Sequence, residues 1–146
     1  MKKIMLIAAL IALFVVNGAI AGSGSLLGDW KGTARAIMPE ELDSTGTAII
    51  TDIELEGTID ELEGGLFRGS FTFDVPGLGL QSAFATGYIK GQKIEGIMSV
   101  YYDTPSGYQG IGLFNAKLKG KKMVGVVRDL SDGSTSYFTA KKIEGD

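Results

Sequence analysis

The groups available for chemistry in this chain are few, because its 146 residues contain no histidine and no cysteine. That removes the usual zinc sites, histidine-ligated haem, and the cysteine or serine–histidine systems of nucleophilic catalysis. Carboxylates, lysine and tyrosine remain. Two acidic groups stand close in sequence, Glu40-Glu41 with Asp43, and Asp129 with Asp132. Pairs of this kind serve acid–base chemistry or hold calcium, but neither has the ligand spacing of a calcium loop, and a solvated loop accounts for both. For Glu40 to Asp43 the functional alternative is an acidic lid. Gly107-Tyr108-Gln109-Gly110-Ile111-Gly112 has the wrong glycine spacing for a nucleotide loop and no helical pattern after it. No catalytic constellation, metal site or cofactor motif emerges, and a non-enzymatic role is expected.

The amino terminus reads as a leader. Lys2-Lys3, an apolar run from Ile4 to Val16 and then Ala19-Ile20-Ala21 form the three parts of a cleavable signal peptide spanning residues 1–21. The apolar run is short for a membrane span. Residues 22–146 are then expected to be one exported domain, periplasmic or secreted, with 125 residues and no membrane span. Two lysines and no acid leave with the leader, so the chain's 14 basic and 17 acidic residues leave a mature net charge of −5. That excess of acid argues against nucleic acid, whose phosphates require a concentrated basic face.

A short phrase recurs through this domain: an apolar residue, one intervening residue, then glycine. It occurs as Trp30-Lys31-Gly32, Phe67-Arg68-Gly69, Ile94-Glu95-Gly96 and Met123-Val124-Gly125, each opening an apolar/polar alternation. This is the pattern of a β-meander in which every second strand starts alike. No segment after Gly22 sustains a helical period, and turn residues punctuate the alternation at short intervals. Eight strands are predicted: Asp29 to Met38, Thr45 to Glu56, Leu66 to Phe73, Ala83 to Lys90, Lys93 to Tyr102, Gly110 to Leu118, Lys122 to Arg128 and Thr135 to Ile143. The fold class is therefore all-β, an eight-stranded antiparallel up-and-down barrel.

Tight hairpins at Lys90 to Lys93 and at Lys119 to Lys122 fall at the end where the glycine phrases begin, which is read as the closed end. Looser loops at Pro39 to Ser44, Asp74 to Ser82, Asp103 to Gln109 and Ser131 to Ser134 mark an open mouth. The acidic stretch from Gly57 to Gly65 is read as an excursion or short helical turn at the closed end.

Alternation places Trp30, Ala34, Ala36, Met38, Phe67, Phe71, Phe73, Ile94, Met98, Val100 and Tyr102 inside, with Lys31, Arg35, Ile37, Arg68, Thr72 and Glu95 outside. Ile49, Ile53, Leu55, Phe84, Phe114 and Phe138 are also assigned inward. A mostly polar outer face opposes a membrane-spanning barrel. Eight strands enclose room for packed side chains or one small ligand. The expected ligand-facing residues are Met38, Phe71, Phe73, Phe84, Met98, Val100, Tyr102 and Phe114. Trp30 is expected to plug the closed end, with Gly32, Gly69, Gly96 and Gly125 relieving crowding beside it.

Gly28-Asp29-Trp30 at the start of an exported eight-strand meander resembles the Gly-x-Trp signature of the lipocalins and their calycin relatives. The resemblance implies a barrel plugged by the tryptophan and spans Leu26 to Ile143. Lipocalins tend to place an arginine over that tryptophan after the last strand, where this chain has Lys141 and Lys142, and they usually carry a helix after the barrel, where this chain stops at Asp146. Avidin-like barrels share the start but use several tryptophans, against the single Trp30 here.

Three functions follow from different classes. The first is a carrier or scavenger of a small apolar or amphipathic molecule held inside the barrel. The second is an interaction module with a packed interior, and the third a carboxylate-based hydrolase or isomerase, which no constellation supports. The mouth loops carry Glu40, Glu41, Asp43, Asp74, Asp103, Asp129 and Asp132 against Arg128, while Lys90, Lys93, Lys119, Lys121, Lys122, Lys141 and Lys142 gather at the closed end. A ligand is therefore expected to be neutral or cationic, with ionised fatty acids binding poorly.

Overall fold

In the computed structural model, residues 26–102 and 108–144 are described, with backbone alone at 102, 108 and 109. Eight antiparallel strands form a closed barrel in sequence order: β1 (Gly28–Leu42), β2 (Ala48–Glu63), β3 (Leu66–Val75), β4 (Gly79–Lys90), β5 (Lys93–Tyr102), β6 (Tyr108–Lys119), β7 (Lys122–Asp129) and β8 (Thr135–Lys142). The β1–β8 pairing, from Trp30 opposite Lys142 to Ile37 opposite Thr135, closes the ring. The leader expected over residues 1–21 lies outside the described residues.

Seven of the strands lie where alternation places them, several with longer ends, and β2 departs most. The acidic segment expected as an excursion is instead strand: β2 runs on to Glu63 and turns through Gly64-Gly65, both at positive φ. A register shift between Ile59 and Glu61 breaks its two-residue period, so Asp60 and Glu61 are both exposed while Ile59 and Leu62 face the core.

The closed end is packed by the four apolar residues of the recurring phrase. Trp30, Phe67, Ile94 and Met123 are all buried, one from each odd-numbered strand, and Leu26, Ile59 and Leu118 complete the layer. Trp30 is fully buried, and its Nε1 donates a 2.9 Å hydrogen bond to the Leu26 carbonyl. Burying roughly 200 Å² of indole at about 25 cal/mol per Å² contributes on the order of 5 kcal/mol.

The phrase glycines face inward but are crowded by something other than Trp30. A Cβ on Gly32 would lie 1.9 Å from the Thr139 carbonyl oxygen and 2.6 Å from Ala140 Cα. Gly69 meets the Thr58 carbonyl and Ile59, Gly96 the Thr86 carbonyl and the Phe114 ring, and Gly125 the Asn115 carbonyl, Ala116 and the Phe138 ring. The expectation that they relieve crowding beside the tryptophan is thus corrected. They let neighbouring strands and two phenylalanine rings approach closely.

Outside, the wall has two characters. On β1–β3 it is laced by cross-strand ion pairs, Lys31 with Glu56 at 2.6 Å, Arg35 with Asp52 at 2.9 Å, and Arg68 with Glu61 at 2.9 Å and Asp60 at 3.3 Å. On β4–β6 the outer face instead carries Phe84, Ile97, Ile111 and Leu113 exposed, with Phe84 and Tyr101 in an edge-on ring contact at 6.0 Å. No helix among the described residues is long and apolar enough to cross a membrane.

Candidate functional site

Above the closed-end layer the barrel holds a cavity of about 380 Å³ that opens toward the loop end. The inner row of β4 reads Gln81, Ala83, Ala85, Gly87, and of these Gln81 lines the cavity. Below Gln81 the small residues give way to the rings of β3, Ala83 in register with Phe71 and Gly87 with Phe67. On β1 the small side chains Ala34 and Ala36 do line the cavity and leave it room.

Six of the eight expected ligand-facing residues line this space: Met38, Phe71, Phe73, Met98, Val100 and Phe114. The side chain of Tyr102 lies outside the described residues, although its backbone pairs with Gln81. Phe84 is a correction. It points outward and is 60% exposed, because the inner phase of β4 belongs to the alanines on either side of it. Space explains the choice: Phe67 and Phe114 already meet at 6.0 Å on the inside.

Ile49 is the second inward residue found exposed. It shares the parity of Ile53 and Leu55, which do line the cavity. But β3 pairs with β2 only as far as Glu54, and β8 with β1 only as far as Ile37. The β1–β2 hairpin therefore projects past the rim with strand on neither flank, and Ile49 lies on that projection.

Asp129 and Asp132, together with Ser131, Ser134 and Ser136, form a polar sector of the cavity lining on the β7–β8 side. Asp129 accepts hydrogen bonds from the Ser131 backbone (2.8 Å) and hydroxyl, and Asp132 from the Ser134 backbone (2.7 Å). Glu40, Glu41 and Asp43 do not line the cavity. Asp43 instead organises its own loop, its Oδ1 accepting from Thr45 N (2.8 Å), Thr45 Oγ1 (2.6 Å) and Thr47 N (3.0 Å). These donors hold its carboxyl below the ordinary carboxylate value, the Thr45 hydroxyl contributing most. Asp103 lies outside the described residues.

Sequence reasoning missed Gln81. Among the described residues it is one of two buried polar ones, 7% exposed, and it lines the cavity near the mouth. Its one available signal was its place two residues before Ala83 and four before Ala85 on the same side of a strand. Among the described residues no three His, Cys, Asp or Glu gather in a way that would hold a metal ion.

The architecture has solved counterparts. A redesigned β-barrel superposes with a TM-score of 0.58 at 12% identity, covering 87% of this chain and 99% of that one. The crystal structure of Rv2717c from M. tuberculosis superposes with a TM-score of 0.51 at 11% identity, covering 82% and 94%. At such identities the likeness shows the fold alone: an eight-stranded antiparallel β-barrel. No family model and no curated protein matches the chain.

Proposed function

We propose that this chain is an exported, lipocalin-like, non-catalytic carrier or scavenger that takes a small neutral or cationic, apolar or amphipathic molecule into the barrel. The observation that carries the reading is the cavity of about 380 Å³ walled by Phe71, Phe73, Met98 and Val100. Its volume lies within the range of small-molecule sites, and aromatic walls with a polar minority suit an apolar body. Phe71, Phe73 and Val100 are only partly buried although they face inward, so a guest would remove apolar surface from water. The Gly28-Asp29-Trp30 plug supports the lipocalin-like assignment, and Lys142 stands in register beside Trp30 with its stem across Gly28. Charged outer strands β1–β3 favour a soluble barrel over a membrane-embedded one.

Displacement of a fluorescent apolar probe tests the proposal. Wild type should bind the probe saturably, and Ala36→Phe, which fills the cavity from β1, should abolish binding while leaving strand content intact. Equal binding by both proteins would defeat it.

A second reading, an interaction module, is favoured by the apolar outer face of β4–β6. Its occupant would be a second copy: a two-fold axis lying in the plane of that face and perpendicular to the barrel axis sets Lys93 and Lys117 of one barrel toward the acidic mouth of the other. Sedimentation equilibrium tests it, with a dimer expected for wild type and a monomer for Ile97→Lys.

A further inference from the structure

The cavity contains a group whose chemistry is unfinished. Gln81 is more than nine-tenths buried, and its side-chain nitrogen, shielded from solvent, has no hydrogen-bond partner among the described residues. A buried amide donor left unpaired is costly, and native structures rarely keep one without a use. Gln81 stands in register with Phe73 on one side and with Tyr102 on the other, near the mouth end of β4 and above Ala83 and Ala85. Gln81 thus stands at the mouth end of a largely apolar space, apart from the polar sector of β7–β8.

We infer that Gln81 is a ligand-recognition residue that donates its Nε2–H to a neutral oxygen acceptor, a ketone, ester, amide or alcohol oxygen, at one end of a largely apolar guest. This rests on the proposed carrier function and narrows it. An ammonium head carries no acceptor and leaves the Gln81 donor unpaired. A carboxylate does accept, but entering this cavity brings it against Asp129 and Asp132, two further acids in the same lining. A neutral carbonyl or hydroxyl satisfies the amide without either conflict. Phe71, Phe73 and Met98 then hold the hydrocarbon part. The volume of about 380 Å³, at the roughly 30 Å³ that a water occupies in the liquid, suggests about a dozen non-hydrogen atoms.

Four probes of that size separate the possibilities: undecane, undecan-2-one, decylammonium and decanoate, each measured by displacement of a fluorescent apolar dye. Wild type should prefer undecan-2-one over undecane by about tenfold, the worth of one well-made hydrogen bond in a dry site. Gln81→Leu and Gln81→Met should bring that ratio to about one while keeping the affinity for undecane. Both variants should melt no lower than wild type, since they remove an unpaired donor. A ratio near one in wild type, a ratio that survives both substitutions, or decanoate binding as tightly as the ketone would overturn the inference and leave the carrier reading standing. Failure of all four probes to bind wild type would instead remove the carrier reading, and this inference with it.

Discussion

The indole nitrogen of Trp30 donates to the carbonyl of Leu26, 2.9 Å away, tying the segment that enters the barrel to the side chain that closes it. Both residues are fully buried, so plug and entry strand form one packed unit beneath the cavity. Trp30→Ala should cost about 3–5 kcal/mol in urea denaturation. Trp30→Phe should cost less, because a ring still fills the layer while the donor is lost. A Trp30→Ala protein of wild-type stability that no longer bound the dye would make the tryptophan a ligand contact instead.

Gly32 gives a sharper test of close strand approach. Its missing Cβ would sit 1.9 Å from a backbone oxygen of β8, which no side-chain rotation relieves. Gly32→Ala should therefore destabilise by about 3 kcal/mol, at the upper end of overpacking costs. Phe84→Ser, on the outer face, should cost only about 0.5–1.5 kcal/mol, the scale of its ring contact with Tyr101. Equal costs for the two would mean that the inner phase of β4 has been misassigned.

The head-group rule predicts a salt response. With Asp129 and Asp132 in the cavity wall, a decanoate probe should bind more weakly than a neutral one at low ionic strength, and added salt should narrow the gap for whatever part of it arises at exposed charges. Titration at two salt concentrations measures this. Decanoate binding that is tightest at low salt would contradict it.

Asp43 sets a pH dependence in the β1–β2 loop. Its folded-state pKa is lowered, chiefly by the Thr45 hydroxyl, so the stabilisation it gives is present above the ordinary carboxylate value and is lost as pH falls through the folded value. The Thr45 and Thr47 amide resonances should titrate together below the ordinary aspartate range. In Asp43→Ala that acid transition should vanish, while the distant Trp30 signal is unchanged. A midpoint at or above the ordinary value would refute the assignment.

Much of this architecture was legible because period-2 alternation and turn length are local signals. Trp30, Phe67, Ile94 and Met123 declared a repeated strand start, and the short hairpins at Gly91 and Gly120 declared which end is closed. Where reading failed, the deciding facts were non-local. β4 alternates two apolar sets, Leu80 with Phe84 and Ala83 with Ala85, and only the rings contributed by β3 and β6 determine that the smaller set goes inside. Gln81 fell in the expected Asp74 to Ser82 loop, before the predicted strand start at Ala83, and so received no face. Ile49 had the right parity, but its exposure depends on where β3 and β8 stop pairing. The Asp60-Glu61 bulge hid strand behind an apparent loss of period.

Every pairing in the barrel joins sequence neighbours except one. Seven hairpin ladders can form from chain segments a few residues apart, whereas the β1–β8 seam brings Trp30 to Lys142 across 112 residues. Closing a long loop is entropically the most demanding step, and contacts at such separation slow folding. The seam is therefore where an open, curled sheet becomes a cylinder, late on the way in and early on the way out. Amides of Thr33 and Thr139 along that seam should exchange through openings that leave the β3–β4 and β4–β5 ladders shut.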